Sequence, residues 1–200
     1  MATLSNDIVH RDIKPGNVLA FRKPLPDPGI LYKFADLGIS ISLAGSGATT
    51  TTAALGTQLY ISELFRIKLL EGKDMTNEQL LAEDVFNLGV TFLQYVCSLS
   101  ENELIWVRSG SSDAIEGRLS FLEELEDKIS NARTKRFDEF AIAVIERLNC
   151  DVPKGCRMFI GKMLKYRFEE RTAPADLLEE YFALKRNPQD EEEEKEEEQK

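Results

Sequence analysis

A mainly α-helical fold that opens with a few short β-strands is predicted by two patterns and one composition shift. From about Leu80 onward, apolar residues recur at spacings of three and four, the mark of helices that bury one face. Before that point lie short runs of strand formers broken by Gly, Pro and Asp. The last eleven residues, DEEEEKEEEQK, carry eight acids and two lysines and cannot bury apolar surface.

Taken in order, NVLA and LYKFAD flank the turn-rich stretch FRKPLPDPGI at residues 21–30, which predicts a hairpin with a long connection. SLAGSGATTTTAALGT at residues 42–57 is small, polar and without period, and reads as an exposed loop dense in hydroxyls. Leu81, Val85, Leu88, Phe92 and Val96 then define one helix face. A second follows through Phe137, Phe140, Ala141, Val144, Ile145 and Leu148. In CRMFIGKMLKY the stripe runs through Met158, Phe159 and Met163, with Lys162 interrupting it. Pro174 suits the first turn of a last helix, with Thr172 as its N-cap. No internal repeat is present.

At 200 residues and 42% hydrophobic, the chain is long enough for one domain with a substantial core. Cys97, Cys150 and Cys156 form no metal-binding spacing and read as reduced, structural thiols of an intracellular, cytoplasmic protein. The opening residues carry no basic, apolar, small-residue pattern, so no signal peptide is expected, and the apolar run at residues 85–100 is too short to span a bilayer and contains Asn87 and Gln94. Of the net charge of -10, the acidic tail supplies -6, so the body is only mildly acidic. Without a basic stripe, neither nucleic acid nor a membrane is an expected partner.

The chemistry concentrates in IVHRDIKPGNVL at residues 8–19, which holds the only histidine. Pro15 and Gly16 supply a turn through which Asp12, Lys14 and Asn17 can converge. Nineteen residues beyond Asn17 comes Asp36, in FADLGIS, where Gly38 permits an unusual backbone angle just past the carboxylate. The oxygens of Asn17 and Asp36 suit a hard cation such as Mg²⁺.

This segment resembles the catalytic loop of eukaryotic protein kinases, H-R-D followed after four residues by N: His10, Arg11, Asp12 and Asn17 fill every fixed position. Lys14 is similar to the lysine of the serine/threonine-specific branch. Asp36-Leu37-Gly38 resembles D-F-G, with leucine retained as an apolar plug. Gly56-Thr57, Tyr60 and Glu63 resemble the G-T-x-x-Y-x-A-P-E close of an activation segment, although YISE is one residue short and lacks the proline. Asp84-Val85-Phe86-Asn87-Leu88-Gly89-Val90 is similar to the start of the family's central helix, and Arg171 matches the arginine that pairs with the A-P-E glutamate.

The resemblance implies a protein-kinase-like fold, C-terminal lobe only, across residues 1–186; the charge run predicts an acidic disordered tail at residues 187–200. It implies ATP and Mg²⁺ as cofactors and a protein substrate with Ser or Thr hydroxyls. Asp12 is expected to orient the substrate hydroxyl and accept its proton, Lys14 to contact the γ-phosphate, Asn17 and Asp36 to hold Mg²⁺, and Thr57 to brace Asp12 and Lys14. His10 is expected to be structural, Asp84 to hold the catalytic-loop backbone, and Glu63 to pair with Arg171. Arg11 would receive a phosphate carried by Thr49, Thr50, Thr51 or Thr52. Trp106 is expected in the core. Because the first lysine is Lys14, the first glycine Gly16 and the first glutamate Glu63, no small-lobe element precedes the loop within these residues. Two readings stay open: a serine/threonine kinase whose large lobe alone transfers phosphate weakly or not at all, and a pseudokinase-like binding or scaffold module.

Overall fold

A computed structural model of the chain describes residues 8–24, 28–43, 56–109, 137–150 and 152–186. Ile8–Val9 (β1) pairs antiparallel with Ile41–Ser42 (β4), and between them the chain makes a turn and a hairpin. The turn is a 3-10 helix, Pro15–Asn17, whose fixed proline φ suits its first position. The hairpin pairs Val18–Lys23 (β2) with Gly29–Phe34 (β3), in a register running from Val18 opposite Phe34 to Lys23 opposite Gly29. The hairpin expected from NVLA and LYKFAD is present, but its strands extend to Lys23 and from Gly29, into the stretch at residues 21–30 read as connection.

Helices make up the rest of the described chain. Glu63–Leu70 (α1) starts at Ser62, whose hydroxyl accepts from the Phe65 amide. Asn77–Val96 (α2) starts with a reciprocal Thr76 and Gln79 capping box, which satisfies two otherwise orphaned amides. Glu101–Ser109 (α3), Phe137–Arg147 (α4), Lys154–Met163 (α5) and Pro174–Arg186 (α6) follow, with a 3-10 turn at Phe168–Glu170.

α2 is the axis of the packing. Its Phe86, Val90 and Leu93 join Phe140, Val144 and Ile145 of α4 and Ile160 of α5 in the largest apolar cluster. Leu80 joins Val9, Ile61, Phe65, Met75 and Phe168 in a second. Val85 and Leu88 meet Ile13, Met163 and Leu177 in a third. Burial on nearly all sides explains why residues 83–91 are continuously buried, polar ones included.

The predicted stripe of α2 is therefore too narrow, and Phe92 at its edge is exposed while Leu93 is buried. The α5 stripe is also rotated: Met158 is exposed, and Ile160, Gly161 and Met163 face the core. Trp106 packs, as expected, against the largest cluster. At α6 the Leu177 amide bonds to the Ala173 carbonyl, so Ala173 rather than Thr172 occupies the capping position before Pro174. The Sγ atoms of Cys97 and Cys150 lie 3.1 Å apart as free thiols. Among the described residues no helix is long and apolar enough to cross a membrane.

Candidate active site

Three short segments meet at Asp12. The first is the stretch between β1 and the 3-10 turn, which α2 fixes from below. Asp84 accepts the backbone N–H of His10 at 2.6 Å and that of Arg11 at 2.8 Å, one on each carboxylate oxygen. This grip holds Arg11 at a left-handed φ of 69°, an angle few non-glycine residues adopt unaided. Burial pushes the Asp84 carboxyl up to about 7, against the pull of those two donors, and neighbouring Glu83 adds to the rise.

His10 is wholly buried, with its ring edge-on to Phe34. Its Nε2 lies 3.0 Å from the Ala35 carbonyl, and its Nδ1 faces the Asp12 amide at 3.4 Å. A carbonyl only accepts and an amide only donates, so both contacts place the ring proton on Nε2. Both ring nitrogens are thereby engaged by backbone.

The second segment is the hairpin. Ala35 N bonds Asn17 O at 2.8 Å, one step beyond the Val18 and Phe34 pair, so the hairpin's open end brings Asn17 and Asp36 side by side from distant points in sequence. Asp36 itself, not Gly38, has the left-handed backbone, at φ 62°, and the Gly38 amide turns back to its Oδ1. Leu37 is 48% exposed, so the apolar plug expected from D-L-G is not packed among the described residues. The turn that follows, with Ser40 bonded to Leu37 O through both N and Oγ, keeps that side chain at the surface.

The third segment starts at Gly56. Its φ is 106°, and a Cβ there would sit 2.6 Å from the Arg11 carbonyl oxygen, so only glycine fits. Thr57 follows and donates to Asp12 Oδ1 through both its amide (3.1 Å) and its hydroxyl (2.8 Å). Lys14 Nζ lies 2.8 Å from Thr57 Oγ1 and 2.8 Å from Asp12 Oδ2. Asn17 Nδ2 donates to the Asp12 carbonyl at 2.8 Å and to its Oδ2 at 3.0 Å. Partial burial raises the Asp12 pKa, but the hydrogen bonds from Lys14 and Thr57 and the lysine charge outweigh it and hold the group below the usual carboxylate range.

Asp12, Lys14, Asn17 and Thr57 are thus brought together, and Asp36 follows directly on Ala35, whose amide bonds Asn17 O at the hairpin's open end. His10, Arg11 and Asp84 lie directly beneath. Arg11 Nε bonds the Ile39 carbonyl, and Thr49, Thr50, Thr51 and Thr52 lie outside the described residues. The expected Glu63 pair with Arg171 is not made. Glu63 opens α1, where a negative charge suits the helix N-terminus, and it pairs with Arg66 three residues on.

Arg171 instead binds Glu83, Nη1 to Oε2 at 3.0 Å, in a buried pair. Burial raises the Glu83 pKa against the opposing pull of Arg171 and Ser62, and burial lowers that of Arg171. Sequence reasoning missed Glu83, Asn87 as a ligand of the segment, and Arg108. With the Asn87 amide turned to suit its neighbours, its nitrogen donates to Tyr60 O at 2.8 Å. The Arg108 guanidinium lies over the Phe86 and Phe137 rings and donates to Ile61 O. The signal for Glu83 was present in LLAEDVFNLGV: two adjacent acids in an otherwise uncharged stretch.

A profile of the protein kinase domain matches residues 3–183. The chain belongs to the protein kinase family. It is similar to serine/threonine-protein kinase PknA of Corynebacterium glutamicum, 38% identical over 84 residues, 42% of this chain and 15% of that protein. It resembles serine/threonine-protein kinase A of Synechocystis sp. at 36% over 83 residues, 42% of this chain and 14% of that protein. An LRR receptor-like serine/threonine-protein kinase of Arabidopsis thaliana is 31% identical over 144 residues, 68% of this chain and 14% of that protein. The chain therefore spans about one seventh of the length of these relatives.

Proposed function

We propose that the chain forms the large, C-terminal lobe of a serine/threonine protein kinase, which passes the γ-phosphoryl group of ATP to a protein hydroxyl. The observation that carries this reading is the Asp12 carboxylate, gripped by Thr57, Lys14 and Asn17 in a chain of the kinase family. Asp12, held ionised by those donors, orients the acceptor hydroxyl and takes its proton. Lys14 supplies a fixed positive charge where the transferred group would lie. Thr57 keeps the carboxylate and the ammonium in register.

Asn17 and Asp36 are the residues that would hold Mg²⁺. Both Asn17 contacts to Asp12 use Nδ2, which turns Oδ1 away from Asp12, and the Asp36 carboxylate is exposed at the same end of the hairpin. Two hard oxygens flanking the open end of the hairpin fit a magnesium site completed by phosphate and water. When bound, the ion neutralises phosphate charge. Arg11 and the Thr49 to Thr52 run are the candidate phosphate-dependent ordering device, since a phosphate on one of those threonines would add about two negative charges for an arginine to pair with.

Phosphate transfer from Mg-ATP to a generic protein substrate, with Asp12→Asn alongside, tests the reading. Loss of a positioned base is expected to lower transfer by about 10² or more. Turnover of the 200 residues alone is expected to be slow, because they hold no lysine or glycine ahead of Asp12 to serve as nucleotide lid and anchor. Equal transfer by both proteins would sink the assignment. Mg-nucleotide binding without transfer, unchanged by Asp12→Asn, would favour the binding-module reading.

A further inference from the structure

Helix α2 carries two adjacent buried carboxylates, Glu83 at 4% exposure and Asp84 at 1%. Burying a carboxylate is costly unless it is fully satisfied, and two neighbours also repel each other, so their joint presence calls for a job that apolar residues could not do. Asp84 holds the loop that carries Asp12. Glu83 holds the opposite side: its Oε1 accepts the Ser62 amide at 2.6 Å, and its Oε2 accepts the Ser62 hydroxyl at 2.6 Å and Arg171 Nη1 at 3.0 Å. Arg171 is itself fastened by the carbonyls of Ala82, Lys165 and Tyr166, so it is a fixed counter-charge.

The grip extends along the segment. Asn87 takes the Tyr60 carbonyl, half-buried Arg108 the Ile61 carbonyl and Glu83 the Ser62 amide, three consecutive residues held by polar side chains of α2 and α3. Tyr60 N in turn closes onto Thr57 O at 2.9 Å, and Thr57 binds Asp12. One turn of one helix thus anchors both segments that converge on the same carboxylate.

We propose that Glu83 is a positioning residue of the phosphoryl-transfer site, replacing the segment-borne glutamate expected at Glu63: by fixing Ser62 it sets Thr57 against Asp12, while Asp84 sets Asp12 against Thr57. The proposal rests on the kinase reading of this site for its catalytic meaning. Thr57 takes Asp12 Oδ1 while Asn17, the candidate Mg²⁺ ligand, takes Oδ2, so the segment acts on the carboxylate oxygen away from the nucleotide, on the side left for the acceptor hydroxyl.

The test uses the whole chain with Glu83→Gln, which keeps size but removes the charge facing Arg171. Amide hydrogen exchange read residue by residue is expected to rise about tenfold or more at Thr57 and Ser62, and to stay unchanged at His10 and Arg11, which Asp84 holds. A uniform rise at all four amides, or none at Thr57 and Ser62, overturns the proposal. If Glu83→Gln does not fold, Ser62→Ala removes the hydroxyl contact, leaves the pair with Arg171 in place, and is judged on Thr57 against His10 by the same criteria. Kinetically, the peptide KM is expected to rise and kcat to fall while the Mg-nucleotide Kd stays within twofold; an equal weakening of nucleotide binding counts against a positioning role. The exchange measurement needs no turnover, so it can succeed even where the Asp12→Asn transfer assay defeats the kinase reading.

Discussion

Four polar contacts on one carboxylate make Asp12 the residue at which charge and geometry are most tightly linked. Its depressed pKa means that the folded chain binds this proton less readily than the unfolded chain, so the group's stabilising contribution is present above its ordinary value of 3.8 and is lost as pH falls through the lower folded value. Asp12→Asn has no such titration. The stability gap between the two proteins, from urea unfolding at a series of pH values, is expected to be constant near neutrality and to narrow below about pH 3.8; a gap that widens on acidification would contradict the depressed pKa. Gly56 has a steric role beside it. A Cβ 2.6 Å from the Arg11 carbonyl oxygen at φ 106° has nowhere to go, so Gly56→Ala is expected to cost about 1–3 kcal/mol in chemical unfolding and to shift the Thr57 amide resonance. These residues were legible in sequence because His10, Asp12, Lys14 and Asn17 lie within one turn-forming segment. Glu83 stood out only as an acid in an apolar stretch; its role was not legible, since it depends on Ser62 and Arg171, partners at separations of 21 and 88 residues that no local pattern announces.

Helix α2 shows where periodicity informs and where it misleads. Spacings of three and four identified the helix, but they assume one buried face, and a helix enclosed by three apolar clusters buries polar positions too. Gly89 lies on the tightest of those contacts: a Cβ would meet Met163 Cβ at 2.8 Å and the Leu164 side chain at 3.0 Å, which is why α5 can approach so closely. Two effects oppose each other in Gly89→Ala. Helix propensity favours alanine by about 1 kcal/mol, whereas overpacking against an atom one bond from the α5 backbone costs about 1–3 kcal/mol. Overpacking wins because Met163 Cβ cannot swing aside as a side-chain tip could. The urea midpoint of Gly89→Ala is expected to fall; a rise would show that α2 and α5 can separate at little cost.

Across the molecule, stability is distributed unevenly, and the hairpin is its weakest described part. Leu19, Phe21 and Leu31 lie on one face and Ile30 and Tyr32 on the other, all exposed, so neither face has the apolar cover that residues 83–91 of α2 have. What holds β2 to β3 is the ladder itself, with cross-strand support such as Phe21 opposite Leu31 and Lys33 Nζ 5.6 Å from the Phe21 ring. A two-stranded ribbon on its own is marginal in water. Local opening therefore costs far less there than in α2, and a protease samples such openings in proportion to their population. Among the described residues, limited chymotrypsin digestion followed by mass spectrometry is expected to cut after Phe21, Leu31 or Tyr32 well before it cuts at Phe86, Leu88 or Leu93. The base of this hairpin joins Asn17 to Asp36 through the Ala35 amide, so nicking is also expected to abolish Mg-dependent nucleotide binding while the helical circular dichroism signal is largely kept. Early cuts within α2 with the hairpin intact would mean that the ribbon is covered in solution, and would reverse this order of stability.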